Sequence, residues 1–383
     1  MADKSGIEWT DATWNPVVGC KPVSEGCDHC YAAREASGRL SSHPVYHGLA
    51  ANGVFNGLVR VLPDRLDQPL RWKRPRRIFV NSMSDLFHRG IDVDFQSRVF
   101  EVMERATNHT FQVLTKRPEI MKRRLRTIYG ASRIAPHIWI GTTIESGKYR
   151  NRADHLREIP ASVRFISAEP LLGPIDALNL DGISWVVAGG ESGPGARPMH
   201  PDWVRDLRDA CRSQEVAFLF KQWGEWAPGK PDREGSYLMG TARTLQDYAL
   251  IDFEGNVRDR NELSTFNVPG DWTEMTRYGR RQAGRELDGV VWDEYPNTSR
   301  SARAGVGEGD MARLCAACGL VHHALENTCC PGFAPVPDGS SMTAKDVLDL
   351  SQAEIHRLRR DYLAATAAPL VASEVRWRAE ASL

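Results

Sequence analysis

The chain has 383 residues, of which 42% are hydrophobic and 26% charged, a composition typical of a globular protein with one large domain and appended segments. Its net charge is zero, so charge alone gives no reason to expect a nucleic acid or a membrane surface as a partner. The sequence contains no apolar run of about 18 residues and no apolar signal segment near its start, which predicts a cytoplasmic protein without a membrane-spanning helix.

A weak first strand, "TWNPVV" at 13–18, leads into a loop with three cysteines. Cys20, Cys27 and Cys30 have the spacing C-x6-C-x2-C. Three thiolates on one loop can bind zinc together with a distant histidine, or an iron–sulfur cluster in which one iron lacks a thiolate. His29 stands between two of the cysteines and has little room to turn inward as the fourth ligand. The residues alone leave both alternatives open.

Six stronger apolar runs follow, short and rich in β-branched residues, as in parallel strands that are buried on both faces. They lie at 77–82, 111–116, 137–143, 163–170, 184–191 and 216–223. Helical patterns separate most of them, at 93–107, 148–159 and 201–214. This alternation predicts an α/β fold, a partial or full parallel β/α barrel, over residues 1–230.

Polar residues collect where the predicted strands end. Among them are Ser84, Asp85, Lys116, Glu169 and Glu191. Because the carboxyl ends of barrel strands carry the active site, we expect these residues to face the cysteine loop at one mouth of the barrel. The alternative interpretation is structural, with the two glutamates forming ion pairs with Lys116, Arg117 or Arg197.

After residue 223 the strand–helix pattern stops. Residues 231–296 read as a barrel-associated extension of short strands and loops, 297–310 as a linker, 311–335 as a small cysteine-bearing module and 336–383 as an amphipathic helical segment. The extension includes "AGRELDGVVWDEYP", a compact element with an Asp-Gly turn.

The cysteine-bearing module has the spacing of a zinc knuckle or ribbon. Its candidate ligands are Cys315, Cys318, Cys329, Cys330 and His322. An auxiliary iron–sulfur cluster and a segment without metal are the alternatives. Such a module is too small to form its own core, so zinc would stabilise its fold and let it grip nucleic acid or a protein partner.

Several motifs together resemble a phage- and prophage-encoded, radical-SAM-like family with an N-terminal three-cysteine motif. The resemblance covers about residues 5–296. The motifs that carry it are "IEWTDATWNPVVGC…GCDHCYA", "TKRP", "SAEPLLGPI", "GGESGPGARP", "FKQWGEW" and "AGRELDGVVWDEYP". Compared with the commonest radical-SAM pattern, the first gap between cysteines is longer, and Gly-Gly-Glu stands at 189–191, after a late strand.

The resemblance implies that Cys20, Cys27 and Cys30 bind a 4Fe–4S cluster and that S-adenosylmethionine (SAM) binds its open iron. By the same resemblance His29, which precedes the last cysteine, lies near the adenine of SAM. The strand-end residues Ser84, Asp85, Lys116, Glu169 and Glu191 would contact the cofactor or the substrate.

The expected function is therefore that of a radical-SAM-type enzyme that forms a 5′-deoxyadenosyl radical. Local basic stretches and the phage-like family make a nucleobase or nucleic acid the expected substrate, and an electron donor the expected partner. No membrane partner is expected. The alternative function is a non-enzymatic, zinc-dependent nucleic-acid-binding protein.

Overall fold

The main sheet is built from strands that begin close to where the apolar runs of the sequence begin. The computed structural model describes residues 5–229, 247–259 and 272–296, together with the backbone of strands 312–314 and 321–323. The strands are β1 (Ala12–Trp14), β2 (Val17–Val18), β3 (Ala50–Ala51), β4 (Val54–Phe55), β5 (Arg60–Val61), β6 (Arg77–Val80), β7 (Thr110–Thr115), β8 (Ile138–Thr143), β9 (Arg164–Ala168), β10 (Trp185–Gly189), β11 (Ala217–Gln222), β12 (Trp226–Pro228), β13 (Tyr248–Asp252), β14 (Val257–Asp259), β15 (Trp272–Arg277), β16 (Glu286–Leu287), β17 (Val290–Val291), β18 (Ala312–Leu314) and β19 (Val321–His323).

The helices lie mainly in the connections between strands of that sheet. They are α1 (Tyr31–Ser37), α2 (Val93–Arg105), α3 (Pro118–Tyr129), α4 (Arg152–Arg157), α5 (Pro201–Ser213) and α6 (Arg280–Ala283). Short 3-10 turns occur at Glu25–Cys27, Pro63–Arg65, Pro69–Arg71 and Gly147–Tyr149. Asp92 caps α2 by accepting a 2.7 Å hydrogen bond from the amide of Phe95, which satisfies one of the free amides of the first turn. No helix among the described residues is long and apolar enough to cross a membrane.

Seven parallel strands form one curled sheet in the order β1-β6-β7-β8-β9-β10-β11. Each strand pairs with the next strand of the sheet along the chain, as successive βαβ units require. The sheet is a half-barrel, so the prediction of a parallel α/β sheet that closes partly or fully is confirmed in its partial form. Of the predicted helices, all three are present, although α4 is shorter than its pattern.

Alternate residues of the strands face two different cores. On the outer face, Ile78, Val80 and Ile166 belong to the large cluster that includes the apolar side of the helices. On the concave face, large and mostly aromatic side chains form a separate buried layer, called here the aromatic layer. Its members are Trp9, Phe79, Trp139, Val163, Phe165, Trp185, Val187 and Leu219. The lower part of the half-barrel is therefore filled with side chains, as in closed barrels.

A glycine in β8 makes room for one ring of this aromatic layer. Gly141 of β8 pairs in register with Phe165 of β9, and the ring of Phe165 lies over the glycine. A Cβ atom at Gly141 would stand 2.4 Å from that ring. The glycine thus makes room for the Phe165 ring and lets the aromatic layer pack tightly.

The region after β11 covers the edge of the half-barrel. A bridge joins Leu219 to Asp293, and the amide of Phe220 donates to the carbonyl of Trp292 at 3.0 Å. These contacts occupy an edge that would otherwise present free backbone groups. Further along, β12, β15, β13 and β14 form an antiparallel sheet of four strands.

The β16–β17 hairpin contains the Asp-Gly turn expected from the sequence. Asp288 and Gly289 have φ values of 54° and 77°, as in a type I′ turn. The Asp288 carboxylate accepts hydrogen bonds of 2.6 Å from Arg205 and from Arg208, both on α5. Burial raises the pKa of Asp288, but hydrogen bonds and charge from Arg205 and Arg208 outweigh it and leave the pKa below its ordinary value.

The chain divides into two units, Met1–Ser299 and Arg300–Leu383. In the second, β18 and β19 form an antiparallel pair with Ala312 opposite His323. Apart from the backbone of these strands, the predicted linker (297–310), zinc module (311–335) and helical segment (336–383) lie outside the described residues and stay predictions. The same holds for the side chains of Cys315, Cys318, His322, Cys329 and Cys330.

Replacing Gly141 with alanine should destabilise the protein by about 1–3 kcal/mol, because the new methyl group would overlap the Phe165 ring. Chemical denaturation measures the free energy of unfolding. Gly6→Ala is the matched control, since a Cβ atom there meets nothing within 4 Å. Equal stability of the two variants would contradict the packing described for Gly141.

Replacing Asp288 with asparagine keeps the preferred turn chemistry and removes only the charge. Because the folded pKa of Asp288 is lowered, its stabilisation is complete above the unfolded pKa of about 3.9 and is lost as pH falls through the folded value. The variant should therefore be less stable by roughly 1 kcal/mol at pH 7, and the difference should shrink below about pH 4. Denaturation measures the difference in unfolding free energy between the wild type and the variant. A difference that stays constant between pH 7 and pH 2.5 would show that the charge of Asp288 does not stabilise the fold.

Candidate functional site

A cavity of about 580 Å³ opens at the carboxyl ends of the parallel strands. Its walls include every residue of the described region that the sequence marked as a cluster or cofactor contact. These are Cys20, Cys27, His29, Cys30, Ser84, Asp85, Lys116, Glu169 and Glu191. The cysteine loop and the strand ends thus share one mouth of the half-barrel, with the aromatic layer forming the cavity floor through Trp9 and Phe79.

The cysteine loop is tied to the ends of several strands. Gly19 forms a bridge with Ser84 after β6, and the Ser84 hydroxyl donates to the carbonyl of Val17 at 2.8 Å. Ser24 donates a 2.6 Å hydrogen bond to Glu145, which follows β8. Arg197, after β10, donates to the carbonyl of Glu25 at 2.8 Å. The position of the three thiols is therefore set by the sheet and not by the loop alone.

Cys20 lies against a buried ion pair. Both terminal nitrogens of Arg117 are 3.8 Å from its sulfur, and one of them donates to Asp85 at 2.6 Å. Burial raises the pKa of Cys20 to about 12, with Asp85 adding to the rise and Arg117 opposing it. The protein by itself thus keeps Cys20 as a thiol, and a bound metal would have to displace the proton.

Cys30 and Cys27 lie on opposite sides of His29 along the loop. Cys30 is the N-cap of α1, where burial raises its pKa and the amides of Ala33 and Ala32 oppose that rise. The Cys27 sulfur is 3.9 Å from the hydroxyl of Ser24. Among the described residues, no three Cys, His, Asp or Glu side chains lie close enough together to hold a single metal ion. Thiolates of a cluster bind different iron atoms, which is a different geometric requirement.

Glu145 is a site residue that the sequence did not single out as a ligand contact. Its side chain is 1% exposed and pairs with Lys116 at 2.9 Å and with Arg152 at 2.7 Å. Burial raises its pKa, but the charges of Lys116 and Arg152 outweigh burial and lower the pKa overall. Gly26 packs on this carboxylate, since a Cβ atom there would be 2.7 Å from it. In the sequence, the only sign of this role is that Glu145 is an acidic residue shortly after a predicted strand.

Both predicted glutamates form ion pairs at the cavity. Glu191 pairs with Arg197 at 2.6 Å, as the structural alternative expected. Glu169 instead pairs with Lys221, at the end of β11. The same Arg197 reaches Asp28 at 3.4 Å, so the pair also braces the cysteine loop. Whether either carboxylate also contacts a cofactor stays a prediction.

The glycine-rich segment after β10 closes one wall of the cavity. A Cβ atom at Gly190 would stand 1.9 Å from the carbonyl oxygen of Trp223, so only glycine fits there. Arg34 of α1 donates to the carbonyl of Ser192 at 3.0 Å, which joins this segment to the helix that follows the cysteines. His29 packs beneath Gly195, where a Cβ atom would be 3.0 Å from the imidazole.

The fold and the site define a parallel α/β half-barrel protein with three thiols at its cavity. Over residues 4–296 the chain matches the family described as "Protein of unknown function (DUF5131)", and it belongs to that family. The match includes the entire seven-stranded sheet and the residues of the cavity. No curated protein and no solved structure matches the chain.

Replacing Asp85 with alanine should destabilise the protein by about 3–5 kcal/mol, because Arg117 would keep a buried charge without its carboxylate partner. Glu101→Ala is the control, since Glu101 pairs with Arg105 on the surface with both side chains more than half exposed. That change should cost less than about 1 kcal/mol. Denaturation curves in which the two variants coincide would show that the Asp85–Arg117 pair does not support the fold.

Proposed function

We propose that this protein is a radical-SAM-type enzyme. The observation that carries the proposal is that three thiols from one loop line the same cavity as charged residues at the ends of five parallel strands. Three thiols suit a 4Fe–4S cluster with one iron free for a further ligand, whereas a closed structural zinc site takes four protein ligands. The strand ends supply the polar groups that a cofactor and a substrate require.

The residues present fit such a cluster electrostatically. Thiolate ligands bring negative charge into a half-buried site, and such charge is stabilised by nearby cations. Arg117 lies beside Cys20, and Lys116, another cavity residue, opposes the rise in the pKa of Cys30. When bound, the cluster and SAM supply one-electron cleavage of SAM to methionine and a 5′-deoxyadenosyl radical, with the electron coming from an external donor.

The chain's own residues would bind and orient SAM. Its methionyl part carries an ammonium and a carboxylate, which complement the ion pairs at the rim of the cavity. Glu169 or Glu191 would accept from the ammonium, and Lys116 would pair with the carboxylate. Ser84 and Asp85 supply further hydrogen-bonding groups, and the imidazole of His29 offers a flat surface for the adenine.

The proposed substrate is a nucleobase, free or within a nucleic acid. The apolar floor formed by Trp9, Phe79 and Leu114 supports this choice, because aromatic side chains bind the faces of bases. Oxygen-sensitive iron–sulfur chemistry fits the reducing cytoplasm, the location we propose. Zinc at the C-terminal cysteines stays part of the proposal.

The decisive measurement is anaerobic reconstitution of the full chain with iron and sulfide. Alanine at Cys315, Cys318, Cys329 and Cys330 first removes any contribution from the second cysteine group. In that background, Cys27→Ala should abolish the broad visible absorption, reduce bound iron and sulfide severely and eliminate production of 5′-deoxyadenosine from SAM. Cys211→Ala is the matched control, because Cys211 is buried in α5 and does not line the cavity.

Full iron and sulfide in the Cys27→Ala variant would refute the cluster assignment. A colourless protein that holds zinc through the cavity cysteines would instead favour the non-enzymatic, nucleic-acid-binding alternative.

A further inference from the structure

Two buried side chains at the cavity carry polar atoms that have no hydrogen-bond partner among the described residues. Asn81 follows β6, is 3% exposed and lines the cavity. Within the part of the chain that the structure describes, neither its amide nitrogen nor its amide oxygen has a hydrogen-bond partner. Its backbone is satisfied, since its N–H donates to the carbonyl of Trp14 at 2.8 Å. The groups of Asn81 that lack a hydrogen-bond partner are therefore the amide nitrogen and oxygen of its side chain.

Backbone conformation does not explain the choice of asparagine. Asn81 has φ of 62°, in the left-handed region that asparagine adopts more readily than most residues. Glycine adopts this conformation with no steric cost and without burying two polar atoms. A buried amide without partners costs free energy, so this side chain is costly for folding and needs another role.

Trp9 presents the same anomaly on the cavity floor. It is 2% exposed, lines the cavity and stacks near Phe79 with a centroid distance of 4.9 Å. Its indole nitrogen finds no acceptor among the described residues. Elsewhere the buried indoles of Trp14, Trp185 and Trp226 donate to backbone carbonyls at 2.7 to 2.9 Å. Trp9 thus differs from these three buried tryptophans, whose indole nitrogens all have an acceptor.

We propose that Asn81 and Trp9 form a subsite that reads the edge of a nucleobase once a small side-chain movement brings their buried polar atoms to the cavity surface. An asparagine amide offers a donor next to an acceptor, which matches the adjacent hydrogen-bonding groups on the edge of a base. Trp9 adds a second donor, while Phe79 and Leu114 supply an apolar surface for the ring. Bases drawn into enzyme pockets are read by this combination of edge hydrogen bonds and ring packing.

The base has two possible sources, the substrate and the adenine of SAM, which share this chemistry. Assigning the base to the substrate rests on the proposed function, whereas the subsite itself does not depend on the cluster. Binding to the full-length protein purified without iron therefore tests the subsite separately from the cluster.

The experiment is calorimetric titration of the iron-free full chain with adenosine, guanosine, cytidine, uridine and SAM. Asn81→Gly removes the amide and suits the backbone, so the variant should be as stable as the wild type or more stable. Its affinity for the bound base should fall about tenfold to hundredfold. Trp9→Phe, which keeps an aromatic ring and loses the N–H, should lower the affinity for the same ligand.

Asn52→Gly is the matched control. Asn52 also has a positive φ, 50°, but it is exposed in the turn between β3 and β4 and does not line the cavity. Its substitution should leave binding unchanged. Both asparagine variants relieve the same backbone constraint, so a difference in binding reports the side chain of Asn81.

The titrations also identify the source of the base. A nucleoside that binds in the presence of saturating SAM, with dependence on Asn81, assigns the subsite to the substrate. Adenosine that competes with SAM, with both losing affinity in Asn81→Gly, assigns it to the adenine of SAM. The subsite is refuted if no probe binds the wild type, or if Asn81→Gly and Asn52→Gly bind every probe equally well. If the cluster experiment fails while Asn81-dependent binding persists, the proposed enzyme is wrong and the base subsite stands.

Discussion

The buried ion pair between Arg117 and Asp85 joins the parts of the molecule on which the cavity depends. Asp85, after β6, also accepts hydrogen bonds from the hydroxyl of Thr115 at 2.7 Å and the amide of Lys116 at 3.2 Å, both at the end of β7. Arg117 donates to the carbonyl of Lys21 at 2.6 Å and contacts the sulfur of Cys20. Two strand ends and the cysteine loop therefore meet at one pair of opposite charges. A buried pair of this kind adds little net stability but makes the loss of one partner costly, so it fixes geometry more than it adds free energy.

A second constraint is the division of the concave face into an aromatic floor and a charged rim. The floor is filled by rings such as Phe165 and Trp185, which pack at a centroid distance of 5.6 Å. Above it, the small residue Ser167 lines the cavity, which continues to Lys116, Glu169 and Lys221. The low polarity of the floor strengthens every electrostatic interaction at the rim, which is why the charges there occur in pairs. A ligand with an apolar ring and a charged end matches this arrangement.

Several braces hold the cysteine loop from outside. The Ser24 hydroxyl donates a hydrogen bond to Glu145, and Arg197 donates one to the backbone carbonyl of Glu25. The carboxylate of Glu25 in turn accepts hydrogen bonds from Lys148 and Tyr149. These contacts come from two connections of the sheet, the one between β8 and β9 and the one between β10 and β11. Because each brace is anchored to a strand end, the thiols are positioned by the most rigid part of the protein, as a preorganised site requires.

Much of this architecture follows from the sequence by itself. The apolar runs predicted the seven strands and their parallel pairing, because strands buried on both faces need continuous apolar residues and helical crossovers. The position of polar residues at the predicted strand ends indicated which side chains lie together at one end of the half-barrel. All nine candidates in the described region line one cavity. The helix α3 was not anticipated, since its many Lys and Arg residues read as a basic stretch although Ile120, Met121 and Leu125 are buried.

Only the tertiary structure decided how far the sheet curls and which partner each charge takes. Glu169 pairs with Lys221 across 52 residues and Ser24 with Glu145 across 121, and no local pattern encodes such pairings. The unpartnered atoms of Asn81 and Trp9 are likewise visible only when their surroundings are known. Local spacing fixes the period and type of each element because backbone hydrogen bonding and side-chain direction are local. Pairing, burial and satisfaction of polar groups depend on contacts between distant segments, which form only in the folded chain.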